Sequence, residues 1–493
     1  MKERITLEIV DMNESGQGVA RLGGIVHFVN GAILGDKVEA EIVLAKKNYK
    51  VANAVRILEA SEQRKPGYSG VLDSPYGLSL QPLRYEKQLE YKERLLFSTM
   101  DKLAGIEIVK KNAIIGLSRE ERYRNKGVFP IREDGGLIKI GAFERASHKI
   151  VEVLDNPAMP ESYAVILAEV KALAEEFGIS AYREEAHKGA LKFILIRSNA
   201  RGEHLIALVL NEDEIAKRGI ESAFQNALLD KLHEKGIPVS GLLKIVDTKR
   251  SNVALGGSST VLSGEAELHQ KIEEVEFKLG IHSFFQVSTE GVEKLYKEVF
   301  RMATHTNPRS VWDIYCGVGS IGIYLAKKWR NGNLSGGTDL RGLEMIPEAI
   351  EYAKENARIN GIQNAYFERG RAEDLLASWV RQYASPDLII LDPPRKGVEK
   401  SALDAVISTE VKHILYVSCK PSTLARDLKI LCEAGYRCLE ITPVDLFPMS
   451  MHVETVALLS KLDVDKHINI KIELDELDLT SAESKATYEQ IKE

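Results

Sequence analysis

The stretch VWDIYCGVGSIGIYLA, residues 311–326, decides the fold because it predicts an apolar strand, a glycine-rich turn and an amphipathic helix in succession. Gly317 and Gly319 have no Cβ, so the backbone between strand and helix can turn tightly and approach a ligand closely. Such a turn is typical of nucleotide-binding first loops in open α/β sheets. Many α/β proteins carry a similar turn, so this motif alone leaves a purely structural role open.

Further apolar strands, LRGLEM, LIILD and HILYVS, follow within residues 291–460 and alternate with helical segments. This alternation predicts a doubly wound, mostly parallel sheet, and therefore an α/β, Rossmann-like domain. In such sheets, ligands bind beyond the carboxyl ends of the strands. Residues that come directly after these strands are therefore the candidates for a functional site.

Two acidic residues stand at such strand ends. Glu344 comes after the second strand, where a carboxylate can hydrogen-bond the ribose hydroxyls of a nucleoside. Asp392 is followed by Pro393, Pro394 and Arg395, and the prolines stiffen a turn that holds the acid and the arginine at the sheet edge. The two acids fit S-adenosylmethionine as well as a dinucleotide, and the proline turn favours the former. A proline turn capped by an aspartate is the structural alternative.

Cys419 ends the next strand, within YVSCKPSTLARDL, residues 416–428. A thiolate is a nucleophile, and we expect Lys420 beside it to lower the thiol pKa. The alternative is a buried thiol that packs as a small apolar group. Glu454 opens the apolar strand in VDLFPMSMHVETVALL, just after His452, and a solvated strand end is its alternative. The combination of Cys419 with Glu454 favours chemistry over either alternative.

The composition limits the class of protein. A chain of 493 residues, 44% hydrophobic and 28% charged, is typical of a soluble protein of about three domains. MKERITLEIV lacks the apolar core of a signal peptide and no segment has the length of a membrane span, so we expect a cytoplasmic protein without membrane association. The four cysteines lack the C-x-x-C spacing of zinc or iron–sulfur sites. A net charge of −6 argues against a uniformly basic nucleic-acid binder but allows a local basic face.

The chain ahead of the α/β region divides into segments of different pattern. Short strands separated by Gly, Asn and Asp in residues 1–60 predict a small β-barrel. Residues 61–82 are rich in Gly, Ser and Pro and predict a loop, and YEKQLEYKERLLFSTMDKL predicts an amphipathic helix. Strands and helices mix over residues 120–290 in an α+β pattern. The acidic tail after residue 461 predicts a solvated appendage that ends in a helical segment.

With VWDIYCGVGS, LDPPRKG, YVSCKPSTLARDL and FPMSMHVETV in this order, the chain closely resembles the RNA uracil-5-methyltransferase family. The likeness extends upstream through SFFQVSTEGVEKLY and YRNKGVFPIR. Residues 1–60 resemble a TRAM domain, an OB-like barrel that holds RNA. The resemblance implies a TRAM RNA-binding barrel (1–60), a central α+β RNA-binding domain (61–290), a methyltransferase catalytic domain (291–460) and an acidic C-terminal extension (461–493).

The resemblance also implies the roles of individual residues. S-Adenosyl-L-methionine is the expected cofactor, and Cys419 matches the nucleophile, Glu454 the general base and Arg395 a contact to the target base or its flank. The expected reaction methylates carbon 5 of a uridine through a covalent adduct between Cys419 and carbon 6. The positions expected to hold the cofactor are Gln286, Tyr315, Gly317, Gly319, Glu344 and Asp392.

The expected partner is RNA, and the protein is expected to be a monomer. An amino-terminal TRAM domain accompanies the ribosomal branch of the family more than the transfer-RNA branch, which favours 23S ribosomal RNA as the substrate. A uridine in the transfer-RNA T-loop is the first alternative. A non-catalytic RNA-binding or assembly protein is the alternative from a different class.

The chain departs from the family pattern at one cofactor. Many members hold a 4Fe–4S cluster with four cysteines, three of them just ahead of the segment that is QPLRYEKQL here. The preceding stretch PGYSGVLDSPYGLSL contains no cysteine, and Pro75 and Leu78 stand near two of the ligand positions. DNPAMP, residues 155–160, lacks the fourth cysteine. We therefore expect no iron–sulfur cluster.

Overall fold

Three β-sheets and one hairpin follow one another along the chain. The structure is a computed structural model that describes residues 3–71, 76–144, 149–152, 154–250, 257, 259–331 and 338–462. All statements below refer to these residues. The predicted helical segment of the acidic tail lies outside them.

The first sheet has six strands in the order β1-β5-β6-β4-β3-β2. Its two edge strands β1 and β2 follow each other directly along the chain, and Val10 between them donates a hydrogen bond of 2.9 Å to Val19 O of β3, so the two edges come together. Small apolar side chains such as Ala20 and Ala40 fill its interior, so this sheet is barrel-like. Its strands are β1 (Arg4–Glu8), β2 (Asp11–Met12), β3 (Gly18–Leu22), β4 (Ile25–Asn30), β5 (Lys37–Ala45) and β6 (Tyr49–Glu59).

The second sheet has seven strands in the order β10-β9-β8-β11-β12-β13-β14, and helices cover one of its faces. The predicted helix α1 (Tyr85–Thr99) precedes it and continues as a π-helical turn over Met100–Ala104. The strands from this region are β7 (Ile108–Lys111), β8 (Lys126–Asp134), β9 (Leu137–Phe143), β10 (Ile150–Glu152), β11 (Leu191–Ser198), β12 (His204–Leu210), β13 (Val239–Val246) and β14 (Ser259–Gly264). Its helices are α2 (Glu161–Glu176), α3 (Glu214–Lys217) and α4 (Glu221–Glu234), and the hairpin β15 (Glu267–Ile272) and β16 (Val275–Gly280) follows.

The third sheet contains the strands that the α/β pattern predicts. Its helices are α5 (Thr289–His305), α6 (Ser320–Asn331), α7 (Pro347–Ile359), α8 (Ala372–Tyr383), α9 (Lys400–Ser408) and α10 (Pro421–Glu433). Its strands are β17 (Ser310–Ile314), β18 (Asp339–Glu344), β19 (Ala365–Arg369), β20 (Leu388–Leu391), β21 (His413–Ser418), β22 (Tyr436–Val444) and β23 (Glu454–Lys461), with β7 as an edge strand.

The order of the third sheet is β19-β18-β17-β20-β21-β23-β22-β7. Strands β17 to β21 are parallel, whereas β23 runs antiparallel to β21. Apolar side chains of α5, α6 and α7 cover one face, and those of α8, α9 and α10 cover the other. This doubly wound arrangement confirms the Rossmann-like fold expected from the sequence.

The edge strand β7 lies within residues 61–290 but pairs with β22. The third sheet therefore draws on residues ahead of 291. Residues Met1–Lys461 form one compact unit, and the domain limits derived from the sequence remain predictions. In the described part of the chain, no helix is both long enough and apolar enough to cross a membrane.

A buried ion pair connects α1 to the loop between β22 and β23. Lys92 Nζ lies 2.6 Å from Asp445 Oδ1, and both side chains are fully buried. Lys92 Nζ also donates to Phe447 O at 2.9 Å. Beside it, Gln88 Oε1 accepts a hydrogen bond of 2.6 Å from Met449 N. Because this loop leads directly into Glu454, α1 fixes the approach to one of the predicted catalytic residues.

We predict that Lys92→Met lowers the free energy of unfolding by about 3–5 kcal/mol, because it leaves the Asp445 carboxylate buried without a cation. Urea denaturation followed by tryptophan fluorescence measures this change, since Trp312, Trp329 and Trp379 all belong to the layers of the third sheet.

Lys354→Met is the control, because it breaks an exposed pair with Glu351 and should change the stability by less than about 0.5 kcal/mol. Equal, small effects of both substitutions would contradict the role assigned to the buried pair.

Candidate active site

The predicted site residues meet at one edge of the third sheet. Ile314 of β17 pairs with Leu343 of β18 on one side and with Leu391 of β20 on the other. Tyr315 and Asp392, which come next along β17 and β20, therefore lie at the same level as Glu344. The chain order of the strands reverses between β17 and β20. This is the switch point at which open α/β sheets bind their ligands.

The glycine-rich turn after β17 has the conformation that its sequence predicts. Gly317 and Gly319 have φ of 56° and 77°, in the left-handed region, and Tyr315 has φ of 70°. A Cβ on Gly317 would meet no atom within 4 Å, whereas one on Gly319 would lie 2.7 Å from Ile323 Cδ1. Packing therefore requires Gly319, and Gly317 leaves open space above the turn that a ligand can occupy.

Glu344 is fixed by main-chain donors. Its Oε1 accepts hydrogen bonds of 2.7 Å from Met345 N and 2.9 Å from Ile346 N, and its Oε2 accepts one of 3.2 Å from Gly317 N. The side chains of Met345 and Ile346 are 56% and 58% exposed. A fixed carboxylate beside exposed apolar side chains is suited to hold the ribose and the base of a nucleoside.

Two further carboxyl groups at this edge have raised pKa values. Burial raises the pKa of Asp392 to about 7, and burial raises the pKa of Asp313 to about 7. Asp313 Oδ2 accepts a hydrogen bond of 3.0 Å from Gly322 N, while its Oδ1 is buried without a partner among the described residues. Such groups suit a cation, and S-adenosylmethionine carries positive sulfonium and ammonium groups.

Sequence reasoning missed Asp313. The signal was present, since an acid in the middle of the apolar strand VWDIY is unusual and needs a reason. Asp313 lies near enough to Asp392 and Glu344 for their charges to add to the effect of burial on its pKa.

Cys419 directly follows β21, and Glu454 is the first residue of the adjacent antiparallel strand β23. Ser418 of β21 pairs with Thr455 of β23, so Cys419 and Glu454 are the next residues of the two chain segments toward the sheet edge. The charge of Glu454 acts on the Cys419 thiol, so the two side chains lie near each other. Glu454 is 2% exposed, and its Oε2 has no hydrogen-bond partner in the described residues. The structure thus brings together the two residues to which the sequence assigns the chemistry.

Burial controls the acidity of both groups. Burial, followed by the charge of Asp392, raises the pKa of Glu454 to about 8, although the charge of Arg395 lowers it. Burial and then the charge of Glu454 raise the pKa of the Cys419 thiol to about 12. The expectation that Lys420 lowers the thiol pKa is wrong, because Lys420 is exposed to solvent and its charge does not offset burial.

Arg395 lies beside this pair. Its Nη2 is 3.0 Å from His452 Nε2, and its charge lowers the pKa values of Cys419 and Glu454. Burial, followed by the charge of Arg395, lowers the pKa of His452 to about 4, so the imidazole is neutral and can accept a hydrogen bond from the guanidinium. His452 therefore positions Arg395 at the mouth of the site.

The turn that carries Arg395 is tied to α10. Asp427 is fully buried, and its Oδ2 accepts hydrogen bonds of 2.9 Å from Val398 N and 2.6 Å from the Tyr416 hydroxyl. Arg426 Nη2 donates to Lys396 O at 3.0 Å. Since α10 begins just after Cys419, these contacts hold the proline turn and the cysteine in a fixed relation.

Gln286 lies ahead of α5 and does not follow a strand of the third sheet. It precedes Ser288, whose hydroxyl caps α5, and its main-chain oxygen accepts a hydrogen bond of 3.2 Å from Asn125 Nδ2. Within the described residues, its side chain makes no hydrogen bond to the strand-end residues. The structure therefore does not join Gln286 directly to the other residues expected to hold the cofactor.

Phe284, on the same segment, also escaped sequence reasoning. Its ring is 68% exposed, whereas that of Phe285 is 3% exposed. Sequence shows two adjacent phenylalanines but does not tell which one is buried. An exposed aromatic ring offers a surface on which a base can stack.

The residues present do not fit an iron–sulfur cluster. Leu78 is buried in an apolar cluster with Leu117, Tyr123, Ala158 and Met449, and Pro75 lies outside the described residues. Across the described part of the chain, no group of three or more His, Cys, Asp or Glu side chains could hold a metal ion.

Comparisons with known proteins show which proteins the chain is similar to. A family model described as tRNA (Uracil-5-)-methyltransferase matches residues 84–462. An uncharacterized RNA methyltransferase of Halalkalibacterium halodurans is 34% identical over 458 residues, which cover 92% of this chain and 96% of that protein. One from Listeria monocytogenes is 34% identical over 465 residues, which cover 94% and 98%.

A solved structure has the same fold over nearly the whole length. It is the Pyrococcus abyssi tRNA (uracil-54, C5)-methyltransferase in complex with S-adenosyl-L-homocysteine, with a TM-score of 0.71 and 25% identity. The match covers 92% of this chain and all of that chain.

We predict that Glu454→Gln makes Cys419 react severalfold faster with iodoacetamide at about pH 9. Glu454, with its pKa raised to about 8, is ionised at that pH, and removal of its charge lowers the thiol pKa and raises the thiolate fraction. Peptide mass spectrometry of the cofactor-free protein identifies the modified cysteine and its rate.

Glu433→Gln is the matched control, because Glu433 raises the pKa of Cys432 and its loss should leave Cys419 unchanged. If Cys419 reacted at the same rate in wild type and in Glu454→Gln, the proximity of Cys419 and Glu454 would be wrong.

Proposed function

The chain belongs to the RNA uracil-5-methyltransferase family, and from this premise we propose that it methylates carbon 5 of a uridine in 23S ribosomal RNA. The methyl donor is S-adenosyl-L-methionine. The observation that carries the proposal is the pair Cys419 and Glu454, which lie near each other where the adjacent strands β21 and β23 reach the edge of the sheet.

The cofactor fits the first half of the sheet edge. When bound, S-adenosylmethionine supplies an electrophilic methyl group on a sulfonium. Glu344 is fixed to accept the ribose hydroxyls, the open space at Gly317 lets the ligand approach the turn, and the carboxyl groups of Asp392 and Asp313 face the positive groups. Tyr315, Gly319 and Gln286 complete the proposed set.

Carbon 5 of uracil is too weak a nucleophile to attack a methyl sulfonium by itself. The Cys419 thiol passes its proton to solvent water, its sulfur forms a bond to carbon 6, and the ring electrons move to give an enolate with density at carbon 5. Carbon 5 then forms a bond to the methyl group while the bond between that methyl group and the sulfonium sulfur breaks, and the electron pair of the broken bond stays on the sulfur of the S-adenosyl-L-homocysteine that leaves. Arg395, whose charge lowers the thiol pKa, favours the thiolate that starts this sequence.

Glu454 completes the reaction as the general base. Its carboxylate removes the proton that remains on carbon 5, and the electron pair of that bond re-forms the double bond and expels the Cys419 sulfur. A pKa of about 8 makes this carboxylate a stronger base than an exposed glutamate. Its buried Oε2, without a partner in the described residues, is the oxygen that can accept the proton.

Both faces of the uracil ring must be reached, so the target nucleotide has to leave any base-paired stack. The exposed ring of Phe284 offers a stacking surface to the extruded base.

For the choice of RNA, the TRAM-like barrel of residues 1–60 supports the ribosomal substrate, with residues 61–290 as the central RNA-binding domain and 291–460 as the catalytic domain. The T-loop uridine of transfer RNA is the second candidate, because the Pyrococcus abyssi relative acts on uracil 54 of transfer RNA. The enzyme works in the cytoplasm as a monomer.

We predict a stable protein–RNA adduct with 5-fluorouridine-substituted transcripts of 23S RNA fragments in the presence of S-adenosylmethionine. Fluorine cannot leave as a cation, so elimination stalls and Cys419 stays attached to carbon 6. Denaturing gel electrophoresis detects the adduct. Cys419→Ala should abolish it, whereas Cys432→Ala should retain it.

The same gel separates the alternatives. An adduct only with substituted transfer RNA would move the assignment to the T-loop uridine. No adduct with either RNA, in protein that binds the cofactor, would leave the non-catalytic RNA-binding protein as the better account.

We also predict that Glu454→Gln accumulates a methylated adduct on ordinary uridine, because proton removal from carbon 5 is blocked after methyl transfer. Methyl label from the cofactor should then migrate with the protein on a denaturing gel. The double substitution with Cys419→Ala should lose this band. Release of methylated RNA at the wild-type rate would show that another group is the base.

A further inference from the structure

Two cations lie directly opposite each other where the second sheet meets the segment ahead of α5. Lys126 of β8 pairs in register with Arg197 of β11, and both donate hydrogen bonds to the same carbonyl oxygen, that of Ser283. Like charges directly opposite on antiparallel strands are destabilising. Arg197 is 2% exposed, so water screens little of this repulsion.

No acid neutralises the pair. Within the described ranges, neither Lys126 nor Arg197 forms an ion pair. Other buried cations of the chain do have acidic partners: Arg64 with Asp36, Lys92 with Asp445 and Lys192 with Asp247. Lys126 and Arg197 differ from these three cations in this respect.

Burial disfavours the charged forms of both Lys126 and Arg197. Burial and the charge of Arg197 lower the pKa of Lys126 to about 7, and burial lowers the pKa of Arg197 to about 10. Next to them, both ring nitrogens of His282 are buried without a hydrogen-bond partner in the described residues. Unneutralised charge together with unpaired polar atoms points to a ligand with negative charge.

The position of the pair relates it to the active site. Ser283, whose carbonyl oxygen accepts both hydrogen bonds, directly precedes the exposed Phe284 and lies three residues ahead of Gln286. Lys126 is half-buried, and one of its three N–H groups is used by Ser283 O at 3.3 Å. Two N–H groups remain for an incoming ligand.

We propose that Lys126 binds a phosphate of the RNA backbone next to the target uridine, with Arg197 behind it as a second, buried positive charge. This proposal rests on the proposed function, because it assigns a further part of the substrate to the same site. Phosphate oxygens accept the remaining Lys126 hydrogens, and the negative charge compensates both cations. A chain of net charge −6 has no general attraction for RNA, so a local positive site has to supply it.

The test measures RNA affinity against salt concentration and requires no methyl transfer. Full-length protein is titrated into labelled 23S RNA fragments and transfer RNA, and binding is followed by fluorescence anisotropy. One phosphate contact to single-stranded RNA contributes about 0.7 to the slope of log affinity against log salt. Lys126→Met should reduce the slope by about that amount and weaken binding about fivefold at roughly 0.1 M salt.

Two variants serve as controls. Lys126→Arg keeps the charge and should restore most of the slope. Lys231→Met removes an exposed charge on α4, and α4 packs on the face of the second sheet that carries Ile194 and Ile196, whereas Arg197 alternates with them onto the opposite face. Lys231→Met should leave the slope unchanged.

The outcomes separate the phosphate site from the proposed function. An unchanged salt slope in Lys126→Met, with salt-dependent binding in wild type, would overturn the phosphate site alone. That result with a lowered melting temperature would assign Lys126 only to holding Ser283. Wild-type protein that bound neither RNA would overturn the phosphate site together with the proposed function.

Discussion

The antiparallel pairing of β23 with β21 is the constraint on which the site depends. In a wholly parallel sheet, only carboxyl ends of strands reach the ligand-binding edge, and each contributes residues that follow a strand. Because β23 runs the other way, its first residue, Glu454, reaches that edge near Cys419. A slip of one residue in this register would turn Glu454 to the other face of the sheet. The loop that reverses the chain must therefore be held firmly, and α1 holds it through the buried pair of Lys92 and Asp445 and through Gln88.

Electrostatics divides the site between two ligands of opposite charge. Burial raises the pKa values of Asp313, Asp392 and Glu454, and the charge of Asp392 contributes to the rise at both Asp313 and Glu454. A cationic cofactor relieves this repulsion, which makes the pocket selective for a sulfonium. At the neighbouring segment the sign is reversed, since Lys126 and Arg197 lack acids and an anionic backbone relieves their repulsion. In both places, buried groups of one charge lack partners of the opposite charge. The carboxyl groups therefore favour a cationic cofactor, and the cations favour an anionic RNA backbone.

Local patterns in the sequence predicted the parts of this structure that depend on local physics. The strand, turn and helix around Gly317 and Gly319, and the positions of Glu344, Asp392 and Cys419 at strand ends, follow from periodicity and turn chemistry. The remaining features depend on which residues the tertiary structure buries and brings together, and local sequence patterns do not show this. The thiol pKa rises rather than falls because Cys419 is largely buried and Glu454 lies near it. Phe284 is exposed while Phe285 is buried, and β7 joins β22 across more than 300 residues of chain. The opposition of Lys126 and Arg197 likewise depends on a strand register that neither segment encodes alone.

The start of β8 connects the proposed RNA contact to the chemistry. Tyr123 donates a hydrogen bond of 3.1 Å to Pro448 O in the loop that leads to Glu454. Lys126, three residues further along the chain, donates a hydrogen bond to Ser283 O on the segment that carries Phe284. One short stretch thus supports both the loop of the general base and the surface proposed for the base of the substrate. In the proposed complex, the residue that contacts the RNA backbone and the residue that supports the loop of the general base therefore belong to one short segment of chain.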